Sequence, residues 1–139
     1  QVYVCDNTGK LKLQFQRDGG RWLLSLSISN NNDIMIVSDD DRAIHSYSTD
    51  GDLKSTIKVP DGHRAMDVAF HHRICKIIVL TYVEKEDSNF LLSYSETGKL
   101  ENSGFFCKED PEVGFWENTI KSHPDGPLAV RWKNTITFI

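Results

Sequence analysis

The residues with the most obvious potential for metal chemistry are two adjacent histidines and a nearby cysteine, His71, His72 and Cys75. Imidazole nitrogen and thiolate sulfur are the ligands that zinc prefers. In an extended segment, however, neighbouring side chains point to opposite sides, so the two imidazoles would diverge. A zinc site would also need a second pair of ligands elsewhere. The pattern therefore favours a turn over a metal centre.

Other groupings that could support catalysis are equally incomplete. Three carboxylates, Asp39–Asp41, offer oxygen ligands for Ca²⁺ but lack the spaced carboxylates and the Gly of an EF-hand loop, so a solvated turn is favoured. Serines alternate along residues 25–29 and 46–48, which is typical of the polar face of a sheet. The sequence has no G-x-S-x-G motif and no Gly-rich phosphate loop. We predict no metal, no cofactor and no enzymatic activity.

Basic side chains in the predicted loops suggest binding instead. The candidates are Arg21, Arg42, His63 and Arg64. Guanidinium planes stack on bases and hold phosphates, so this set would suit RNA. The acidic residues within 39–41 and 84–87 would repel a phosphate backbone. We predict a protein partner, with RNA as the alternative and merely solvated loop charges as the competing explanation.

An aromatic pair, Phe115-Trp116, lies between acidic residues in the stretch 107–123. Exposed on a loop, these rings would be a plausible anchor for a partner. The alternative, which we favour, is that both rings fold down and cap an apolar interior.

The elements that must position these residues are marked by a turn that occurs three times, at Gly9, Gly51 and Gly98. In each copy an extended stretch leads to a polar residue, the Gly, one further residue and a Leu. Gly supplies the positive φ that such a hairpin requires. The copies are 42 and 47 residues apart, within the range of roughly 40–50 residues that is typical of propeller blades.

Counting strands outward from this turn predicts an all-β fold. With the strands of one blade labelled a to d from the centre outward, the chain reads c-d, a-b-c-d, a-b-c-d, a-b. The predicted fold is a β-propeller of four-stranded antiparallel blades with three blade equivalents per chain. The division is a split first blade (1–18 as c-d, 124–139 as a-b), a second blade at 22–60, a third at 64–106 and a long connector at 107–123.

Three blades would leave two unpaired strand edges and two uncovered apolar faces. We predict that two copies assemble head to tail into a six-bladed ring, in which the c-d hairpin of one chain completes the a-b hairpin of the other. The alternative is a fragment of a longer propeller. A propeller enzyme, such as a lyase or lactonase with a central metal, would need channel-facing groups, for which Asp67 and His63 are the candidates.

Composition limits the remaining classes. The 139 residues carry a net charge of −4, which argues against a general phosphate-backbone binder. No run of about 18 apolar residues and no basic-then-apolar leader occurs, so no membrane span is predicted. Three cysteines without close spacing fit a reducing compartment, which predicts a cytoplasmic location.

The stretch 37–51, from Val37 to Gly51, resembles the NHL repeat: a hydrophobic strand ending near Asp, a polar loop, an aliphatic–x–x–aromatic strand and a turn at Gly. The aromatic position, four residues before each Gly, is held by Cys5, Tyr47 and Tyr94, and Cys5 departs from the pattern. The closing stretch 126–139 resembles the C-terminal end of NHL propellers in tripartite-motif proteins. The resemblance implies a recognition and scaffold platform for protein or structured RNA. The zinc-binding Cys/His pairs of the ubiquitin-ligase module found in some relatives are not in this sequence.

Overall fold

The computed structural model describes residues 1–15, 23–38, 42–108, 119–123, 127–132 and 135–139. These residues form four antiparallel sheets, in each of which the strands pair in chain order. The first sheet is β1 (Val2–Cys5) and β2 (Leu11–Phe15), and the second is β3 (Leu23–Ile28), β4 (Ile34–Ser38), β5 (Ala43–Tyr47) and β6 (Leu53–Lys58). The third sheet is β7 (His63–His71), β8 (Lys76–Val83), β9 (Ser88–Ser95) and β10 (Leu100–Lys108), and the fourth is β11 (Thr119–Ser122), β12 (Leu128–Trp132) and β13 (Thr135–Phe138).

Strand β4 is apolar on both sides and lies between two sheets. All five residues of β4 are buried. Because successive side chains of a strand point to opposite sides, Ile34 and Ile36 face the first sheet, while Met35 and Val37 face the third. Both sides of β4 are therefore covered by neighbouring sheets.

Three hydrophobic cores join the sheets in chain order. The first joins Val2 of β1 to Ile36 of β4, the second joins Val37 of β4 to Val79 of β8, and the third joins Leu80 of β8 to Ile120 of β11. Burying each such side chain contributes about 1.5–3 kcal/mol. The sheets therefore stack as successive blades do, each covering its neighbour.

The three repeated Gly turns share one geometry, as predicted. Gly9, Gly51 and Gly98 have φ values of 83°, 89° and 86°, and the N–H of each donates to the carbonyl oxygen three residues earlier at 3.0 Å. A methyl group added at Gly51 would lie 3.2 Å from Phe15 of β2, and one added at Gly98 would lie 2.9 Å from Ile57 of β6. Since Phe15 and Ile57 hold equivalent places, β1 and β2 correspond to the outer strands c and d of a blade.

The C-terminal region has one strand more than the sequence suggested. β11 lies inside the predicted connector 107–123 and pairs with β12. It also lies beside β7, as β3 does on the other side of β7, so β11 takes the innermost place of the fourth sheet. β12 and β13, which the sequence suggested as a and b, therefore stand second and third. The physical reason is that Ile120 is fully buried in the core shared with the third sheet.

Among the described residues, β13 is the edge strand of the fourth sheet, and it has an exposed apolar face. Ile136 pairs with Arg131 and Phe138 with Ala129, on the side of the sheet that faces away from the third sheet. The side chains of Ile136 and Phe138 are 61% and 67% exposed. Among the described residues, the β1–β2 hairpin pairs with no strand of the fourth sheet.

Candidate functional site: the loop face and the axis

The innermost strands of three sheets meet at one buried carboxylate, that of Asp67 in β7. The Ser25 hydroxyl of β3 donates to Asp67 Oδ1, and the Ile120 N–H of β11 donates to Asp67 Oδ2 at 2.8 Å. The Val68 N–H also donates to Oδ1, at 2.9 Å. Asp67 is only 4% exposed. One side chain thus fastens the second, third and fourth sheets along the axis on which their inner strands converge.

Burial dominates the electrostatics of this carboxylate. Desolvation raises the pKa of Asp67 above its usual value, because the ionised form loses its hydration. The hydrogen bond from Ser25, those from the backbone N–H groups of Ile120 and Val68, and the nearby ammonium of Lys121 act in the opposite direction. Both oxygen atoms of the Asp67 side chain are therefore already used as hydrogen-bond acceptors between the strands.

A second hydrogen bond joins the inner strands β3 and β7. The Phe70 N–H of β7 donates to Ser27 Oγ of β3 at 2.9 Å, and Ser27 is buried. Beside these strands lies an open cleft of about 290 Å³, which is lined by Leu26 and Ile28 of β3 and by Lys121 of β11. Leu26 and Ile28 are exposed there.

The loop face is defined here as residues 42, 59–64 and 84–87, at the end of the sheets where strands b and c, and d and a, are connected. The Val59 N–H donates to the Arg42 carbonyl oxygen at 2.9 Å, and the His63 N–H donates to the Pro60 carbonyl oxygen at 3.1 Å. Arg64 follows directly and pairs with Tyr82 of β8. The structure thus brings Arg42, His63 and Arg64 to one end of the molecule, Arg42 exposed and the other two half-buried.

His63 has a defined setting within the loop face. Its Nδ1 lies 2.8 Å from the buried Thr81 hydroxyl, and its ring meets Phe90 edge-on with centroids 5.4 Å apart. Desolvation lowers the pKa of His63, and the nearby carboxylate of Glu86 partly offsets that shift. The imidazole is therefore biased toward its neutral form.

An acidic turn borders His63. Residues Glu84–Glu86 form a single 3₁₀ turn, closed by Asp87 in the left-handed conformation at φ 48°. The Tyr82 hydroxyl donates to Asp87 Oδ1 at 2.9 Å, which holds the turn against the sheet. All four residues 84–87 are exposed. The loop face therefore presents both signs of charge.

The binding candidates Arg21, Phe115 and Trp116 fall outside the described residues, as does the acidic run 39–41. Of the three residues first considered for metal binding, His71 Nε2 lies 3.1 Å from the Ile139 carbonyl oxygen and the His72 ring bonds Asn30. Cys75 is exposed, and its Sγ accepts a hydrogen bond from Asn30 Nδ2 at 3.2 Å. Within the described residues, no three His, Cys, Asp or Glu side chains form a group that could hold a metal ion.

Sequence reasoning missed the convergence on Asp67. Ser25 and Ser27 suggested only the polar face of a sheet, whereas both contact β7 of the next sheet. A signal was present: Asp67 is an isolated carboxylate within an otherwise apolar strand interior, and a buried carboxylate requires donors. Its partners lie 42 and 53 residues away along the chain, so no local pattern identifies them.

Comparison with known proteins supports the fold. No family model matches the chain, and no curated protein matches it. Among solved structures, a protein of unknown function from Bacteroides caccae has a TM-score of 0.62 at 14% identity, covering 96% of this chain and 47% of its own. Virginiamycin B lyase from Staphylococcus aureus has a TM-score of 0.59 at 11% identity, covering 97% and 46%. A streptogramin B lyase structure has a TM-score of 0.52 at 18% identity, covering 95% and 45%.

The stacked antiparallel sheets and these likenesses define the class: the chain has the fold of a partial β-propeller. It spans slightly less than half the length of the solved structures it matches. Within the described ranges, no helix is long and apolar enough to cross a membrane.

Proposed function

We propose that this chain is a non-enzymatic recognition module of the NHL propeller type that binds a protein partner through its loop face. The observation that carries the proposal is that Arg42, His63 and Arg64, which lie in two different connections of the chain, come to one end of the fold. Backbone hydrogen bonds at 2.9 Å and 3.1 Å hold these connections in place. Binding residues presented by loops on a rigid scaffold are typical of recognition domains.

The charge on the loop face favours protein over RNA. Glu84, Glu86 and Asp87 are exposed beside the basic residues. A phosphate backbone would be repelled by these carboxylates, whereas a protein surface can present charges of both signs to match them. RNA is the second candidate, supported by the exposed guanidinium of Arg42.

An enzymatic role is the competing class, since two of the similar structures are lyases. The residues that a channel-centred reaction would draw on are His63, which lies in the loop face, and Asp67, where the inner strands meet. The two oxygen atoms of Asp67 accept from Ser25, Val68 and Ile120. A carboxylate committed to three donors serves packing of the sheets, and we therefore assign Asp67 a structural role.

We also propose that a second copy covers the exposed face of β13 and closes the ring, a six-bladed one by the repeat count. Two copies together approximate the length of one chain of the similar structures. The exposed Ile136 and Phe138 give such an interface an apolar centre. Because β11 takes the innermost place of the fourth sheet, β13 stands third and occupies the place, c, that the sequence suggested for a strand of the partner's first hairpin, and closure has to accommodate it.

A cytoplasmic location belongs to the same proposal. Cys5 and Cys75 are free thiols and exposed, which suits a reducing compartment.

The test of partner binding is quantitative affinity capture from cells, with Arg42→Glu and Lys99→Glu compared with the unmodified protein. Lys99 is exposed at the opposite end of the sheets, so it is a matched charge reversal. We expect Arg42→Glu to lose a specific set of captured proteins that Lys99→Glu retains, and nuclease treatment to leave this set unchanged. Identical capture by both variants would contradict the proposal, and loss of the set on nuclease treatment would favour RNA.

A further inference from the structure

A cavity of about 170 Å³ lies between the second and third sheets, at the end opposite the loop face. Its floor is made by Met35, Ile57, Phe70 and Ile77, all side chains of the buried core. Both sheets that wall the cavity have four strands. Unlike the open cleft beside β3 and β11, this cavity therefore needs no further blade to complete its walls.

The mouth of the cavity is polar and carries more negative than positive charge. Ser46 and Ser55 pair across β5 and β6 and line one wall. Asp33, Lys54 and Glu96 also line the cavity, and Lys54 Nζ lies 2.6 Å from Asp33 Oδ1. Because Lys54 already pairs with Asp33, Glu96 is the carboxylate that favours a cation at the mouth, and serine hydroxyls accept hydrogen bonds from that cation.

We propose that this cavity is a binding site for a small molecule consisting of a single apolar ring with a primary amine. The size fits, because a cavity of about 150 Å³ lined by Leu, Ile and Phe is large enough for benzene. The ring would contact Ile57 and Ile77, the more exposed of the floor side chains, and the ammonium would lie at the mouth near Glu96. The site is independent of the loop face and of the partner proposed there.

The test is an NMR titration of the full chain with benzylamine and, separately, with benzoate, which matches it in shape and reverses its charge. We expect saturable shift changes at the residues that line the cavity, with benzylamine binding at least tenfold more tightly than benzoate. Glu96→Gln is expected to reduce this preference for the amine at least threefold without altering the spectrum elsewhere.

Two neighbouring substitutions in β6 provide the control. Ser55→Leu places a large side chain over the mouth and is expected to weaken benzylamine binding at least tenfold. Thr56→Leu lies on the other face of the same strand and is expected to bind like the unmodified protein. The proposal is overturned if benzylamine causes no saturable shifts at the cavity, if benzoate binds as tightly, or if Ser55→Leu binds unchanged.

Discussion

Asp67 shows how one residue can determine the relation between sheets. A buried carboxylate is costly unless donors surround it, and here the donors come from β3, from β11 and from its own strand. The cost of burying the charge is offset only when all three strands are in register. The carboxylate therefore stabilises one arrangement of the inner strands against others.

Asp67→Asn is predicted to destabilise the fold. An amide has one acceptor oxygen, so it cannot replace both carboxylate oxygens. The backbone N–H of either Ile120 or Val68 is then left facing the amide NH₂ group, whereas the Ser25 hydroxyl can accept a hydrogen bond from it. Leaving a buried donor unsatisfied costs about 1–3 kcal/mol. Urea denaturation measures the change in the free energy of unfolding.

The raised pKa of Asp67 also predicts how the loss of stability in Asp67→Asn depends on pH. The pKa of Asp67 is raised in the folded state. At pH values just above the usual aspartate pKa, the folded state therefore binds more protons than the unfolded state. The stability that this protonation contributes is present at low pH and is lost as pH rises through the folded-state pKa. The Asn variant lacks it, so its deficit should be larger at about pH 4 than at about pH 7. A deficit that grows with pH would contradict the assignment.

His63 gives the opposite sign. Its pKa is lowered in the folded state, so the stability it contributes is present above the unfolded value of about 6.5 and is lost as pH falls below it. His63→Asn removes the titration and should make the urea midpoint less sensitive to pH between about 7.5 and about 5.5. Equal sensitivity in the two proteins would show that His63 is not desolvated as described.

At the scale of elements, the Gly turns were predictable and β11 was not. Positive φ at Gly9, Gly51 and Gly98 is a local requirement that only Gly meets without strain. β11 is four residues long with a single buried apolar residue, Ile120. Its position depends on a hydrogen bond to Asp67, a contact that lies far away in sequence. A local sequence pattern can identify a turn whose conformation depends on one residue type. It cannot identify β11, whose position depends on contacts with strands far away in sequence.

The same distinction holds for the candidate site. The strand order predicts that Arg42 and His63 lie at the same end of the fold, and the structure places both residues at that end. The setting of His63 against Thr81 and Phe90 depends on the pairing of β7, β8 and β9, which spacing alone does not specify.

Gly98→Ala tests how the turns fasten one sheet to the next. The added methyl group would lie 2.9 Å from Ile57 Cγ1 at a residue with positive φ, so we expect a loss of about 2–4 kcal/mol in the free energy of unfolding. Gly9→Ala shares the positive φ but, among the described residues, has no atom within 4 Å of the added methyl group, and should lose only the part due to strain. Gly104→Ala has neither feature and should be nearly neutral. Equal losses at Gly98 and Gly9 would mean that the contact with Ile57 contributes nothing.

At the scale of the whole molecule, we expect a second copy of the chain to cover the exposed apolar face of β13. Light scattering is expected to give twice the chain mass of 15.9 kDa. Phe138→Asp should return the protein to the single-chain mass, because it places a charge at the centre of the apolar face. Ile74→Asp changes another exposed apolar residue, in the turn between β7 and β8, and should leave the mass unchanged. A monomeric unmodified protein would contradict closure by a second copy.

The central claim is that the loop face is where a protein partner binds. Hydrogen–deuterium exchange of the chain, alone and with the partner isolated by the capture experiment, tests this most directly. We predict slower exchange at residue 42, at 59–64 and at 84–87, with no change at the opposite turns 48–52, 72–75 and 95–99. Protection at the opposite turns, with the loop face unchanged, would contradict the account.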